Sequence, residues 1–452
     1  MSKYKTEFFK LSIALLIGVV AYFLGLTLFN ETQSRLLGAI AFLIALWTNE
    51  AFHLGVISLL PIILFPALGI INTKLTTVNY AHPIIYLFLG GFLLAIAVEK
   101  TELHIVIADK ILSLFPATPK GMIFSLALTS ALLSSILSNT TTTLLLITIA
   151  IFITDNVKLK MRFALAIAYG ASVGGILTPI GTPPNLILLG VMQEHNMTLI
   201  PFFQWMWMVA PLVFLMLVSV TLLLGIGVGN IPIQSNIETK KMNLNQKKVL
   251  LLLGSLIVLL LVNAPIKPYW HGLGLSESGI LLGFGLLLFM PPFGILEWSE
   301  DSKRVPFSIM FLFGAGFSIA KAFSQTGLAD ELASYLLEMT TMTPLLLLLS
   351  VAMLITFTTE ITSNTALISI MLPVIYSVAE QSGINTTLFM MVATVCASYA
   401  FMLPIATPPN AIAMSSGVVN VRDMIKYGIV LNFLGVFFIV LIAEFFWKGI
   451  LS

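Results

Sequence analysis

Apolar runs long enough to cross a bilayer recur along nearly the whole sequence, and this feature leaves few folds open. A helix spans the hydrocarbon core with about 20 apolar residues. Of the 452 residues, 58% are hydrophobic and only 9% are charged, and the mean hydropathy is +1.03. The sequence therefore predicts an all-α polytopic protein of the cell inner (plasma) membrane, with the lipid bilayer as a partner. The net charge of +2 argues against nucleic acid as a partner.

The apolar runs predict eleven transmembrane helices. They lie near residues 10–29, 35–52, 53–71, 84–100, 162–192, 201–229, 247–264, 275–292, 305–325, 388–416 and 423–447. Basic residues mark cytoplasmic segments, and with this alternation they gather on the side that holds the N-terminus. We therefore expect a cytoplasmic N-terminus and a C-terminus outside the cell.

Two further stretches predict re-entrant hairpins, because each has a polar tip between apolar arms that are too short to cross twice. In residues 121–155 the tip is Ser138–Thr143, and Lys120 and Lys158 flank the stretch. Residues 344–381 carry the tip "TSNTA" between acidic flanks. Since basic flanks favour the cytoplasmic side, the two hairpins should enter the membrane from opposite faces.

An internal repeat links the two hairpins at one constant offset, which we call the repeat offset. It places "SNT" at 138–140 on "SNT" at 363–365, and "PIGTPPN" at 179–185 on "PIATPPN" at 404–410. An odd number of predicted crossings separates the two copies, so they should lie upside down relative to one another. Inverted repeats with interrupted helices near the membrane midplane are typical of secondary transporters.

The proline pairs and the tips suggest the chemistry of such a site. A Pro-Pro pair breaks a helix, which frees backbone carbonyls that can bind a hard cation. Asn and Thr of each tip are suited to cap the helix that follows, whose N-terminus favours an anion. Neither the tips nor the broken segments contain Lys or Arg, so a buried dianion would need bound cations for charge compensation.

With "LSNTTT", "TEITSNTA" and the two proline motifs, the sequence resembles the divalent-anion/sodium symporters, which carry dicarboxylates, citrate or sulfate. The resemblance covers essentially the whole chain. It implies a homodimer with an elevator mechanism, in which a domain that holds both hairpins moves against a scaffold. Sodium ions are the expected cofactor, and no organic cofactor is expected.

The resemblance also implies the residues of the site. The first sodium site would use Ser134, Ser138, Asn139 and the Gly181 carbonyl; the second would use Thr359, Thr362, Asn364 and the Ala406 carbonyl. The substrate would meet Ser138, Asn139, Thr140, Thr182, Ser363, Asn364, Thr365 and Thr407. Thr141 and Thr362 depart from the small apolar residues that the family often has there, so Thr141 could alter substrate preference.

The expected domain order follows from the repeat. Scaffold helices and an amphipathic arm would occupy residues 1–120, the first half of the transport domain 121–229, a cytoplasmic linker 230–246, the second scaffold part and arm 247–340, and the second half of the transport domain 341–452. The arms are the segments 101–115 and 326–339. Glu360, next to the second tip, is expected to have a structural role.

The preferred function is the co-transport of sodium with a C4-type dicarboxylate such as succinate, fumarate or malate. A sodium-independent dicarboxylate exchanger, or a citrate or sulfate carrier of the same fold, stays open because both would use two anion-binding tips. An intramembrane enzyme is disfavoured, since the sequence has no HExxH, no acidic D-D-x-x-D cluster and no Cys/His ligand set. A channel is disfavoured because two repeated sites that close around a ligand suit a carrier that occludes its substrate.

Overall fold

A computed structural model describes residues 3–49, 51–229, 241–265, 269–338 and 342–451. Within these ranges the regular structure is helical, without β-strands. Of the expected linker, residues 230–240 lie outside the described part, and the next helix begins at Leu244.

The first half of the chain contains twelve α-helices within its described ranges. They are α1 (Lys3–Gly25), α2 (Glu31–Asn49), α3 (Leu54–Ile57), α4 (Pro61–Ala67), α5 (Thr73–Thr77), α6 (Pro83–Lys100), α7 (Leu103–Ser113), α8 (Pro119–Ser134), α9 (Asn139–Phe152), α10 (Val157–Gly175), α11 (Pro183–Glu194) and α12 (Phe202–Gly225).

The described residues of the second half contain eleven more. They are α13 (Leu244–Asn263), α14 (Glu277–Leu287), α15 (Trp298–Asp301), α16 (Phe307–Thr326), α17 (Leu328–Glu338), α18 (Pro344–Thr358), α19 (Asn364–Gln381), α20 (Thr386–Ala397), α21 (Pro408–Ser415), α22 (Val421–Ile442) and α23 (Lys448–Leu451).

Six stretches of described helix are long and apolar enough to cross a membrane by length and composition. These are Tyr4–Gly25, Thr73–Lys100, Phe202–Gly225, Leu244–Asn263, Phe307–Thr326 and Val421–Leu451. Several other predicted spans are interrupted; residues 53–71, for example, contain the short helices α3 and α4. The total of eleven crossings stays a prediction.

The repeat is visible in the helix boundaries. The repeat offset carries the first residues of α7, α8, α9 and α11 onto the first residues of α17, α18, α19 and α21. The two segments expected to be amphipathic arms contain the helices α7 and α17. Each predicted hairpin consists of two separate helices of 14 to 18 residues on either side of a short non-helical connection.

Two apolar clusters form the interior of the described chain. The larger one includes Phe163 of α10, Trp205 of α12 and Phe389 of α20. The smaller one joins α2 to α16 through side chains such as Leu43 and Ile319. By contrast, Leu16 and Phe23 of α1 are exposed, which is the expected state of side chains that face lipid.

Small residues bring the first hairpin directly against α10. A Cβ atom on Gly174 would lie 2.1 Å from the Ala131 carbonyl oxygen, and one on Gly170 would lie 2.4 Å from that of Ala127. Such pairs of small residues four positions apart allow membrane helices to approach closely. The position of the first tip therefore depends on this contact.

We predict that Gly174→Leu lowers the stability of the protein by about 2 kcal/mol or more, because the side chain would overlap the α8 backbone. The melting temperature of the purified protein in detergent measures the loss. Gly254→Leu on α13 is the matched control, since among the described residues no atom apart from the adjacent backbone of α13 lies within 4 Å of the added Cβ, and it should melt near the wild-type temperature. Equal melting of the two variants would show that the contact does not matter.

Candidate functional site

Residues 135–138 connect α8 to α9, and the first tip continues from Ser138 into the first turn of α9. Ser138 is the N-cap residue of α9, and its hydroxyl accepts a hydrogen bond from the Thr141 amide at 3.1 Å. At the second tip, Ser363 holds the N-cap position of α19 but makes no side-chain cap bond. The expectation that Asn and Thr cap these helices is wrong, because both residues already lie in the first helical turn.

Each proline pair begins a helix rather than ending one. Pro183 and Pro184 are the first two residues of α11, and Pro408 and Pro409 are the first two of α21. Proline suits these positions because the first amides of a helix have no partner within it. The interruptions therefore lie before the prolines, between Gly175 and Pro183 and between Ala397 and Pro408.

The asparagine after each proline pair holds its interruption together. The side-chain amide nitrogen of Asn185 donates to the carbonyl oxygens of Thr178 at 2.9 Å and Gly175 at 3.4 Å. Asn410 does the same with Leu403 at 3.0 Å and Ala400 at 2.9 Å. Both asparagines are fully buried. The two interruptions are thus built from the same contacts at positions related by the repeat offset.

Each tip is also fixed to the interruption of its own repeat, although by different groups. In the first repeat, the Thr178 hydroxyl donates to the Ser135 carbonyl oxygen at 2.5 Å. In the second, the Glu360 carboxyl accepts hydrogen bonds from the amides of Phe401, Met402 and Leu403 at 2.7 to 3.0 Å. Asn432 donates to the same carboxyl at 2.7 Å. Glu360 therefore has the structural role expected of it.

A polar pair lies behind each tip. The Ser134 hydroxyl donates to Asn139 Oδ1 at 2.5 Å, and the Thr359 hydroxyl lies 2.7 Å from Asn364 Oδ1. Ser134 and Thr359 are completely buried. A Cβ on Gly175 would lie 2.7 Å from Asn139 Oδ1, so the Asn139 side chain lies against the end of α10.

The two tips and the two interruptions line a single cavity of about 750 Å³. Most of the predicted site residues lie on its wall: Ser138, Asn139, Thr140, Gly181, Thr182, Thr362, Ser363, Asn364, Thr365, Ala406 and Thr407. Ser134 and Thr359 contact the two asparagines from behind. Among the described residues that line the cavity, none has a charged side chain.

Residues outside the repeated motifs complete the wall. Trp47, Thr48 and Asn49, at the end of α2, line the cavity together with Phe88 and Phe92 of α6. The α2 residues are absent from the predicted site because they have no counterpart in the second repeat. A signal that could have found them is the pair of polar residues, Thr48 and Asn49, that follows the apolar α2 sequence.

The fold and the cavity define the class of the protein: a helical membrane transporter. The structure is similar to that of the YdaH transporter of Alcanivorax borkumensis, with a TM-score of 0.60, 16% identity, and coverage of 83% of this chain and 88% of that one. It is also similar to Neisseria gonorrhoeae MtrF, with a TM-score of 0.57, 12% identity, and coverage of 81% and 82%. At these identities the likeness concerns the fold alone.

The sequence then gives the family. The family model described as "Citrate transporter" matches residues 42–394, and the chain belongs to this family. It is 30% identical to proteins named sodium-dependent dicarboxylate transporter SdcS from Staphylococcus saprophyticus and Staphylococcus aureus, over 97% of this chain and 92% of each relative. The resemblance to the divalent-anion/sodium symporters is confirmed. The protein is a multi-pass plasma-membrane transporter and not an enzyme.

We predict that Glu360→Ala destabilises the protein by about 3 kcal/mol, because it leaves three backbone amides and the Asn432 amide without their buried acceptor. Thermal unfolding in detergent measures the effect. Glu300→Ala is the control, since Glu300 is exposed and its ion pair is with the exposed Lys303. If Glu360→Ala unfolds at the wild-type temperature, the carboxyl does not hold the second interruption.

Proposed function

We propose that the protein is a secondary active transporter that moves sodium ions together with a C4-type dicarboxylate. The observation that carries the proposal is the lining of the cavity, which has two repeated polar tips and no charged side chain among its described residues. A dianion in such a place needs mobile cations, because unpaired burial of charge costs several kcal/mol. The names of the 30%-identical relatives support sodium as that cation and a dicarboxylate as that anion.

The helix N-termini support one carboxylate at each tip. Four helices, α9, α11, α19 and α21, begin at the cavity wall. The two proline pairs remove the first amide donors of α11 and α21, whereas α9 and α19 keep theirs. Free amides and the helix dipole favour an anion. The carboxylates would therefore meet the starts of α9 and α19.

Side chains at the same two places would complete the recognition of the substrate. We assign the first carboxylate to Asn139, Thr140 and the start of α9 at Ser138, whose hydroxyl donates to Thr141, and the second to Ser363, Asn364 and Thr365. Thr182 and Thr407, which line the cavity at the starts of α11 and α21, would lie nearby. These two sets of three residues are identical in type, which suits a ligand with two similar negative ends.

Oxygen atoms behind the second tip support a cation site. The Thr359 hydroxyl lies 2.7 Å from Asn364 Oδ1 and 2.9 Å from the Ala397 carbonyl oxygen. One hydroxyl hydrogen cannot satisfy two acceptors fully, whereas a sodium ion can be bound by all three oxygens. The Ala406 carbonyl would add a ligand. Thr362, whose hydroxyl donates to the Thr358 carbonyl oxygen at 3.0 Å, would contribute its own carbonyl.

The first tip offers a similar set for a second ion. The hydroxyls of Ser134 and Ser138, the Asn139 Oδ1 atom and the Gly181 carbonyl supply only oxygen, which is the ligand that hard cations prefer. Ser134 already contacts Asn139, and Ser138 and Gly181 line the cavity. Two sodium ions would thus neutralise a dicarboxylate in the same cavity.

The mechanism that we propose is an elevator movement within a homodimer. The helices α8 and α18 have 16 and 15 residues, fewer than the about 20 that a crossing needs, which supports re-entrant hairpins. The two copies would be inverted, and α7 and α17 would connect the moving domain to the scaffold. Such an arrangement exposes the same site alternately to the two sides.

Citrate is the second candidate substrate, because the matching family model carries that description. A cavity of about 750 Å³ has room for either molecule. Sulfate carriage and sodium-independent exchange are separated from the main proposal by the following experiment.

We predict that purified protein in liposomes accumulates radiolabelled succinate only when an inward sodium gradient is present. Fumarate and malate should compete at similar concentrations, and sulfate should compete poorly. Replacement of external sodium by choline at constant ionic strength is the control. Uptake that persists in choline, or that requires internal dicarboxylate instead, would favour the exchanger.

We also predict that Asn139→Ala and Asn364→Ala each abolish uptake, because each removes an amide from one tip that no other side chain replaces. Both variants should still insert and dimerise, as judged by size-exclusion chromatography. Asn72→Ala is the control, since Asn72 caps the short α5 away from the cavity wall. Full succinate uptake by either tip variant would refute the assignment.

A further inference from the structure

The two tips differ in a hydroxyl group at the position directly after their shared Ser-Asn-Thr. Three consecutive residues are identical at the repeat offset, but Thr141 of the first tip corresponds to Ala366 of the second. Both residues occupy the third position of the helix that follows the tip. Neither is among the described residues that line the cavity.

Thr141 fixes the hydroxyl group of Ser138. The Ser138 hydroxyl donates to Thr141 Oγ1 at 2.9 Å and accepts from the Thr141 amide at 3.1 Å. Ser363 has no such cap bond, and Ala366 offers no oxygen to receive its proton. The Ser138 hydroxyl is therefore held by Thr141, whereas the hydroxyl of Ser363, at the equivalent position of the second tip, is not held in this way.

The direction of that proton matters for a cation. A hydroxyl group has one proton and two lone pairs, and only a lone pair can bind a positive ion. At the first tip, the proton points to Thr141, which is not on the cavity wall, while Ser138 itself is on the wall. The remaining lone pair is then free for an ion without any rotation of the hydroxyl.

We propose that Thr141 is a positioning residue that tightens the sodium site at the first tip. The inference rests on the proposed function, because it takes the ion at the first tip to be sodium. Thr141 itself touches neither ion nor substrate in this proposal. It acts only through the orientation of Ser138.

The test is the sodium dependence of succinate uptake by Thr141→Ala, which gives the first tip the residue of the second. The loss of one positioned hydrogen bond should raise the half-saturating sodium concentration about fivefold. The maximal rate and the half-saturating succinate concentration, measured at saturating sodium, should stay near those of the wild type. Thr141→Ser keeps the acceptor oxygen and should shift the sodium curve no more than about twofold.

A purely structural role for Thr141 gives a different result. It would lower the maximal rate and the melting temperature without moving the sodium curve, and that outcome would overturn the proposal. So would equal shifts of the sodium curve in Thr141→Ala and Thr141→Ser. Sodium-dependent thermal stabilisation of the purified variants, measured without succinate, repeats the comparison at equilibrium.

Ala366→Ser is the matched control, because it adds an acceptor for Ser363, which is not among the ligands assigned to the second sodium site. We expect its sodium curve to stay near that of the wild type, and a shift as large as that of Thr141→Ala would count against the proposal. If Thr141→Ala fails to fold, Thr141→Val removes the same acceptor oxygen at similar volume and should give the same shift. The wild-type protein separates this inference from the proposed function. Wild-type uptake without sodium dependence would reject both, whereas sodium-dependent uptake with an unshifted sodium curve in Thr141→Ala would reject only the role of Thr141.

Discussion

The structure depends on the need to satisfy backbone hydrogen bonds where two helices are interrupted inside a bilayer. Water is absent there, so each free amide and carbonyl must find a partner within the protein or face a polar cavity. Asn185 and Asn410 each bind two carbonyl oxygens of their interruption. These contacts hold the starts of α11 and α21 beside the tips. The cavity is the space between the two tips and the two interruptions.

The two repeats solve the same problem with different side chains. A threonine hydroxyl joins the first tip to its interruption, whereas the Glu360 carboxyl accepts three backbone amides in the second. The contacts outside the cavity have diverged, while the oxygen-bearing residues on its wall have stayed nearly matched. The matched residues on the wall suit a ligand with two similar ends, whereas the different contacts outside the cavity make the two halves of the site unequal.

Much of this arrangement could be predicted from the sequence, because the constant offset identifies which residues occupy equivalent positions in the two repeats. The tips, the interruptions and the helices α7 and α17 follow from it. The capping residue could not be predicted, since Ser, Asn and Thr all suit an N-cap and the backbone path decides among them. The contribution of Trp47, Thr48 and Asn49 depends on tertiary contacts of α2; the polar pair at its end marks a change in the sequence but does not show which site it faces.

The most direct test of sodium-compensated binding between the tips is an experimental density map of the protein in lipid nanodiscs with sodium and succinate. We expect density for a four-carbon molecule between Asn139 and Asn364, with a separate peak for an ion beside each asparagine. Succinate density that contacts only one tip, or that is equally strong when sodium is replaced by choline, would contradict this mode of binding.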